Sequence, residues 1–247
     1  MDWNDRGLVI GIRRLGETSV ILEVMTERHG RHLGVVRAGR SRAMQPTLQQ
    51  GNSLELIWRA RLEEHIGVFA VEADDLRAGR LMASQMALQG LHWLSALLRL
   101  LPERDPHTRL YAMADALAAH LDNPNVAPEL MVRFEMAVLA DLGFGLDIAT
   151  CAISGSRDEL AYVSPKSGRA VGRAAGAPWA DRLLPLPAFL SNWVDAGAVS
   201  DADVEAGLRL TWHFLRRDLF GPRGLESLVA VREIFAREVR RALENQR

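Results

Sequence analysis

The chain has 247 residues, of which 48% are hydrophobic and 25% are charged, and its formal net charge is -1. This is enough apolar material for a buried core, so we expect a globular protein. Because the net charge is close to zero, the overall charge of the protein cannot drive binding of nucleic acid. Such binding would require a local cluster of positive charge.

Cys151 is the only cysteine. A single thiol cannot form an internal disulfide, as is usual for proteins of a reducing cytosol. The N-terminus has no apolar run of the kind found in secretory signals. No stretch of about 20 apolar residues is long enough to span a bilayer. We therefore predict a cytoplasmic protein without a membrane segment.

Five short segments near the N-terminus have the β-branched or alternating pattern of strands, and they lie at residues 7–14, 19–25, 31–36, 52–61 and 65–72. The longest connection, residues 37–50, joins the third strand to the fourth. This pattern predicts a small closed barrel of the OB type over residues 1–76. An SH3-like barrel is the alternative.

Beyond this region the hydrophobic period changes to 3.6. Helices are predicted at residues 81–101, 108–121, 129–142, 188–196, 201–220 and 225–243. An irregular segment rich in Gly, Ser, Ala and Pro separates the third helix from the fourth and contains a candidate hairpin at residues 160–170. The fold class is therefore α+β and multidomain. We predict a barrel at 1–76, a helical domain in two parts at 77–145 and 188–247, and an irregular insert at 146–187.

Residues 28–42 carry five arginines, two histidines and no acid. Such a stretch is typical either of a solvated loop or of a surface that binds the phosphates of a nucleic acid. On the second interpretation the phosphate contacts would come from Arg14, Arg28, Arg31, Arg37, Arg40 and Arg42. Trp58 lies in an apolar alternation, which favours a core position over a base-stacking position. We therefore expect recognition of phosphates, with tolerance of both single and double strands.

Catalytic motifs are absent from the sequence: there is no Walker loop, no Gly-x-Ser-x-Gly elbow and no His-Glu-x-x-His. Asp74 and Asp75 are adjacent acids at a predicted domain junction, where a solvated turn is the usual structure. His29 and His32 lie among arginines that would repel a cation. We therefore predict a protein that is not an enzyme and has no metal site.

Several short motifs occur in an informative order. Those of the N-terminal part are Gly7-Leu-Val-Ile-Gly, Leu15-Gly-Glu-Thr-Ser, Glu27-Arg-His-Gly-Arg-His and Val36-Arg-Ala-Gly-Arg-Ser-Arg. Those further along are Arg133-Phe-Glu-Met-Ala-Val-Leu-Ala-Asp-Leu-Gly-Phe-Gly, Cys151-Ala-Ile-Ser-Gly and Val163-Ser-Pro-Lys-Ser-Gly. In this order, the chain resembles the RecO family of bacterial recombination-repair mediators over essentially its whole length.

The resemblance implies an N-terminal OB-fold that binds single- and double-stranded DNA and anneals strands without nucleotide hydrolysis. It also implies partnership with RecR and with single-stranded-DNA-binding protein in loading RecA, in the bacterial cytoplasm and near the nucleoid. The acidic tail of single-stranded-DNA-binding protein would need an apolar pocket with a basic rim. The candidates for that rim are Arg133, Arg216 and Arg217.

Many members of the family hold zinc through two Cys-x-x-Cys pairs in the insert. The resemblance places the first pair on Cys151 and Ser154 and the second on Gly172 and Ala175. One thiolate cannot form a tetrahedral structural site, so we predict that zinc and other cofactors are absent. The insert is then a relic of a zinc finger, and we expect packing of Tyr162, Trp179 and Leu183 to hold it.

Two other functions are compatible with the sequence. The arginine-rich stretch could meet an acidic protein, which would make the chain a non-enzymatic adaptor. Alternatively, Asp74 or Asp75 could bind a metal in an accessory domain of a nuclease or ligase, although we expect no metal-dependent turnover of DNA.

Overall fold

The protein is described from a computed structural model that covers residues 1–191 and 199–246. The chain forms two compact units, Met1–Asp122 and Asn123–Arg247. The first contains the barrel together with three helices, and the second contains the remaining helices and the insert. The four-part division of the sequence at residues 76, 145 and 187 stays a prediction.

A closed barrel of five strands occupies the first unit, with the order β1-β2-β3-β5-β4. The strands are β1 (Asp2–Leu15), β2 (Ser19–Thr26), β3 (Gly30–Val36), β4 (Ser53–Arg59) and β5 (Val68–Asp75). All neighbouring pairs are antiparallel except β3 and β5, which meet in parallel at Val35 and Val68. This arrangement confirms the predicted OB type of barrel.

The alternation along β4 separates the barrel interior from its surface. Leu54, Leu56 and Trp58 are at most 1% exposed, whereas the three residues between and after them face outward. Trp58 is therefore a core residue, as its pattern predicts. Its indole nitrogen donates a hydrogen bond to the Ile66 carbonyl at 3.0 Å, which satisfies the one polar atom of the buried ring.

The first strand is longer than predicted and begins at Asp2 rather than at residue 7. Its polar N-terminal part pairs with β4, from Asp2 opposite Arg59 to Leu8 opposite Ser53. The prediction missed this part because these residues lack the apolar alternation of a strand. Pairing across the barrel supplies the backbone hydrogen bonds that local propensity does not favour.

Three helices complete the first unit: α1 (Ala78–Leu81), α2 (Gln85–Leu98) and α3 (Thr108–His120). The single helix predicted at residues 81–101 is wrong at its start. The Ser84 hydroxyl accepts a hydrogen bond from the Ala87 backbone N–H at 3.2 Å and so caps α2. Because a capping serine has extended backbone geometry, it separates α2 from the short turn before it.

The second unit contains α4 (Ala127–Asp141), α5 (Arg173–Gly176), α6 (Asp201–Phe214), α7 (Gly221–Arg223) and α8 (Glu226–Glu244). Leu215–Phe220 forms a π-helix directly after α6, so the predicted helix at 201–220 changes its winding at Leu215. Only a 3-10 turn, Ala188–Leu190, is observed at the start of the helix predicted at 188–196. Residues 192–196 of that prediction lie outside the described residues.

The insert contains a small sheet with the order β7-β6-β8, formed by β6 (Leu160–Val163), β7 (Ala170–Gly172) and β8 (Leu184–Pro185). The antiparallel pair β6 and β7 confirms the predicted hairpin. Tyr162 and Leu183 pack against Gly176, where an added Cβ would lie 2.6 Å from the tyrosine ring. The expected packing of Trp179 is wrong, since this side chain is 50% exposed.

Candidate nucleic-acid interface

The six predicted phosphate contacts fall into two groups on the barrel. Arg14, Arg37, Arg40 and Arg42 are exposed and lie at or just beyond the end of β3 that is marked by Val36. Arg28 and Arg31 lie at the other end of β3, near Gly30. The two ends of this seven-residue strand are about 20 Å apart at ~3.3 Å per residue, so the six arginines do not form one patch.

Arg31 is committed to contacts inside the protein. Its side chain is 15% exposed, and its guanidinium lies 3.0 Å from Glu23 and 3.3 Å from Glu103. It also donates a hydrogen bond to the Leu101 carbonyl at 3.2 Å. Glu23, which is largely buried within β2, binds Arg99 at 2.9 Å as well. These carboxylates offset the charge of Arg31, so it contributes little to an anion-binding surface.

Arg28 is more accessible, with 61% of its side chain exposed. Its guanidinium donates a hydrogen bond to the Asn4 carbonyl at 2.7 Å and lies 3.4 Å from the Asp5 carboxylate. It is therefore held in place with part of its charge offset by Asp5.

Arg40 joins two loops at the other end of the barrel. Its guanidinium donates hydrogen bonds to the carbonyls of Gly16 and Glu17 at 3.1 and 2.7 Å, in the turn between β1 and β2. Because carbonyl oxygens are neutral, Arg40 keeps its full charge. Arg14 lies opposite Val20, which in turn pairs with Val36 next to Arg37. The β-register therefore brings Arg14 and Arg37 to the same end of the barrel.

A groove of about 580 Å³ forms at this end and is lined by three arginines, Arg37, Arg59 and Arg61. Arg59 pairs with Val68, which pairs with Val35, so β5 carries the end of β4 to the end of β3. Among the residues that the structure describes, no acid lines the groove. Within the described part of the chain none of the three forms an ion pair, and all three are exposed. We call this feature the arginine groove.

Sequence reasoning missed Arg59 and Arg61 as members of this site. The signal that points to them is the outward position of Arg59 in the alternation of β4, followed two residues later by a second arginine. Their proximity to Arg37 depends on the parallel contact between β3 and β5, which no local pattern indicates.

An aromatic cluster lies at the side of the barrel near Arg28. The Trp3 ring stacks on His29 with centroids 4.1 Å apart, and it lies 5.6 Å from the Trp58 ring. The His32 ring contacts Trp3 and Trp58 edge-on, with centroids at 5.1 and 4.9 Å. His29 also binds the buried Asp5 carboxylate at 2.7 Å.

The two histidines have aromatic and carboxylate neighbours rather than the companions of a metal ligand. Across residues 1–191 and 199–246, no three His, Cys, Asp or Glu side chains come together in a way that could hold a metal ion. Asp74 and Asp75 are each bound by an arginine, Arg6 at 2.5 Å and Arg77 at 3.0 Å. They therefore form ion pairs and not a paired carboxylate site.

The buried His32 should make the folded protein less stable in acid. It is 3% exposed, and burial lowers its pKa from 6.5 to about 4. Between these pH values the unfolded chain binds a proton that the folded chain does not, so stability falls as pH falls from about 6.5 to 4. The shift corresponds to about 3 kcal/mol. His32→Phe, which keeps an aromatic ring, should remove most of this loss in urea unfolding at pH 7 and pH 4.5.

Asp5 does not contribute to the loss of stability between about pH 6.5 and pH 4. Burial would raise its pKa, but hydrogen bonds from His29 and from the backbone of Arg28 and Arg6 lower it below 3.8. The stability that Asp5 contributes is therefore lost only in stronger acid. His92→Gln, which removes an exposed histidine, is the control variant. Equal acid sensitivity of His32→Phe and the parent chain would show that His32 is not the titrating group.

The three arginines predicted to meet a partner tail occupy two places in the second unit. Arg216 and Arg217 line a groove of about 470 Å³ with Leu184, Arg209, Trp212 and His213. The Arg216 guanidinium lies 5.7 Å from the centroid of the Trp212 ring. Arg133 is not among the residues of this groove; it binds Glu129 at 2.8 Å and lies 5.5 Å from the centroid of the Phe189 ring.

The positions that correspond to zinc ligands come together only in part. The buried Cys151 Sγ accepts hydrogen bonds from the backbone N–H groups of Gly172 at 3.2 Å and Ser154 at 3.5 Å. Burial raises the pKa of this thiol, but hydrogen bonding from the Ser154 side chain and from the backbone of Gly172, Ser154 and Ile153 outweighs burial and lowers the pKa to about 7. One sulfur with backbone donors around it does not fit a structural zinc ion, which needs four ligands.

The geometry defines a class: an OB barrel that carries the arginine groove, followed in the chain by a helical unit with a small β-insert. Two family models match the chain. The one described as Recombination protein O N terminal matches residues 1–73, and the one described as Recombination protein O C terminal matches residues 87–226. The chain therefore belongs to the RecO family, whose members are non-enzymatic recombination mediators.

Curated relatives support the same assignment along the whole chain. DNA repair protein RecO of Rhizobium johnstonii is 57% identical over 244 residues, which are 98% of this chain and 94% of that protein. DNA repair protein RecO of Methylobacterium nodulans is 59% identical over 238 residues, covering 95% of this chain and 96% of that protein. In the described part of the chain, no helix combines the length and apolar character needed to cross a membrane.

Proposed function

We propose that the protein acts as a DNA-repair recombination mediator that binds DNA phosphates at the arginine groove and anneals complementary strands. The observation that carries this proposal is the set of three exposed arginines, Arg37, Arg59 and Arg61, around one groove that no acid lines in the described part of the chain. Such a surface attracts phosphates of any sequence. Arg14, Arg40 and Arg42 extend the positive surface at the same end of the barrel, whereas Arg28 and Arg31 lie elsewhere.

Annealing follows from this surface without a catalytic residue. Two strands repel each other through their phosphates, and a protein that offsets part of this charge lets complementary bases meet. The phosphate contacts are independent of sequence, so the protein can hold either strand. The pairing of bases then supplies the specificity.

An annealing assay with complementary strands coated by single-stranded-DNA-binding protein tests the proposal. The parent chain should speed annealing, and Arg37→Ser/Arg59→Ser/Arg61→Ser should not. The adaptor alternative, in which the groove meets an acidic protein, predicts no DNA binding at low salt and equal annealing with and without the protein. Either of those results would refute the proposal.

Family membership supports recombination proteins as partners. We propose that the protein cooperates with RecR to load RecA on DNA coated by single-stranded-DNA-binding protein, in the bacterial cytoplasm near the nucleoid. The groove around Trp212 suits the acidic tail of single-stranded-DNA-binding protein. It combines an aromatic ring and Leu184 with three arginines, and acidic peptides with an apolar end need both features.

Binding of the tail of single-stranded-DNA-binding protein should depend on Arg216 and not on Arg133. Arg216→Glu should weaken binding of a tail peptide about tenfold or more, because it places a negative charge at the mouth of the groove. Arg133→Glu should have little effect, since Arg133 is not part of that groove and already binds Glu129. Fluorescence anisotropy of a labelled peptide measures both. Loss with Arg133→Glu alone would place the tail at Arg133 instead.

A further inference from the structure

A second cavity, of about 380 Å³, is bordered by the same loop that borders the arginine groove, residues 60–67. Four rings line it, those of Trp3, His29, His32 and Trp58. Arg28 and Arg104 lie at its edge. We call this feature the ring pocket.

The ring pocket and the arginine groove are close together along the strands. Trp3 pairs with Trp58, and the next pair in the register is Asp2 with Arg59. Consecutive residues of a strand point to opposite faces, so the buried Trp58 ring borders the pocket from the barrel interior and the exposed Arg59 lines the groove. The loop of residues 60–67 contributes Glu63 to the ring pocket and Arg61 to the arginine groove, so a strand whose phosphates bind at the groove lies next to the pocket.

The chemistry of the ring pocket favours a planar, uncharged group. Asp2 and Glu63 also line it, so the charges of Arg28 and Arg104 are balanced there. The low pKa of His32, a consequence of burial, leaves its ring neutral at physiological pH. Aromatic rings together with arginine side chains are typical of sites that stack a nucleic-acid base.

Arg104 is held in a fixed position beside the pocket. Its guanidinium donates hydrogen bonds to the backbone carbonyls of Glu63 and His65, the second at 2.9 Å, and its own N–H donates to the Arg31 carbonyl at 2.8 Å. Its backbone has a φ of +64°, which is uncommon for a residue with a side chain. Strained backbone of this kind is found more often at ligand sites than elsewhere.

We propose that the ring pocket receives one unstacked base of a single strand and thereby gives the barrel a preference for single-stranded over double-stranded DNA. The inference rests on the proposed binding of phosphates at the arginine groove. Duplex DNA keeps its bases paired and stacked, so it gains only the phosphate contacts. A single strand gains the stacked base in addition.

The test uses three labelled probes of equal length at one salt concentration: oligothymidine, an abasic backbone without bases, and duplex DNA. The parent chain should bind oligothymidine about tenfold more tightly than the abasic backbone, as expected for one stacked base. His29→Ala should remove this difference and leave the affinities for the abasic backbone and the duplex unchanged. Equal affinity of the parent chain for oligothymidine and the abasic backbone would overturn the proposal.

A second variant and a control guard against general damage to the fold. In Arg104→Gly the new glycine can adopt the positive φ of this position, so the backbone should keep its conformation. The variant removes the guanidinium at the edge of the ring pocket, so it should also reduce the preference for oligothymidine. Arg182→Ser, at a site 80% exposed in the second unit, should change none of the three affinities. If both pocket variants lose affinity for all three probes to a similar extent, the proposal is overturned. Such a result would mean that the variants alter the charge or the fold of the barrel rather than the stacking of a base.

A different result would contradict the proposed binding of phosphates at the arginine groove. Arg37→Ser/Arg59→Ser/Arg61→Ser should weaken all three probes alike. If it weakens none of them, the arginine groove does not bind phosphates, while the ratio of oligothymidine to abasic binding still reports on the ring pocket.

Discussion

Replacing Glu135 by glutamine should lower the free energy of unfolding by about 3–5 kcal/mol, the usual cost of breaking a buried ion pair. Glu135 and Arg232 lie 2.6 Å apart, and their side chains are 0% and 3% exposed. Arg232 also donates to the Leu208 carbonyl at 3.1 Å, and the Thr211 hydroxyl donates to Glu135. The substitution leaves a buried guanidinium without a carboxylate, which is the source of the large effect.

A double replacement and an exposed pair make this prediction specific. Glu135→Leu/Arg232→Met removes both charges and should recover most of the lost stability, because apolar side chains of similar size can replace a buried pair. The exposed pair of Arg240 and Glu205 is the control: Arg240→Met should cost at most about 1 kcal/mol. Urea unfolding followed by tryptophan fluorescence measures all three. A cost below about 1 kcal/mol for Glu135→Gln would contradict the prediction.

Removing the arginine groove should have the largest effect on DNA binding. Three hydrogen-bonded phosphate contacts at about 1 kcal/mol each amount to roughly a 100-fold loss of affinity at low salt in Arg37→Ser/Arg59→Ser/Arg61→Ser. The fold should be unaffected, since all three side chains are exposed and make no ion pairs among the described residues. Anisotropy with a labelled single strand gives the affinity, and circular dichroism checks the fold.

The control variant removes the same amount of charge from the second unit. Arg157→Ser/Arg182→Ser/Arg223→Ser also replaces three exposed arginines, all of which belong to the second unit. It should bind DNA like the parent chain. Equal losses in the two triple variants would mean that total charge, and not the groove, determines affinity.

Much of the fold could be predicted because its signals are local. The alternation of Leu54, Leu56 and Trp58 predicts the inner face of a strand, and the change of hydrophobic period near residue 76 predicts the helices. The polar start of β1 could not be predicted, since it is a strand only through its pairing with β4. The break before α2 depends on the Ser84 cap, whose signal is weak beside a continuous apolar stripe.

The residues that line the arginine groove are only partly those that the sequence predicts to contact phosphates. The excess of arginine in residues 28–42 points to the barrel, yet that stretch spans both ends of β3. Arg31 turns toward Glu23, and the clue to this contact was an acid within the apolar run of β2, where a buried carboxylate needs a partner. Arg59 and Arg61 reach Arg37 through a parallel strand contact, which has no signature in local sequence.

The dependence of DNA affinity on salt tests the central claim most directly. If the arginine groove and its neighbours offset about four phosphates, the affinity of the parent chain for single-stranded DNA should fall with salt at a log–log slope of roughly -3 to -4. In Arg37→Ser/Arg59→Ser/Arg61→Ser the slope should become shallower by about 2 to 3, because three phosphate contacts are lost. An unchanged slope in this variant, or a parent affinity that does not depend on salt, would contradict the assignment of the groove as the DNA-binding surface.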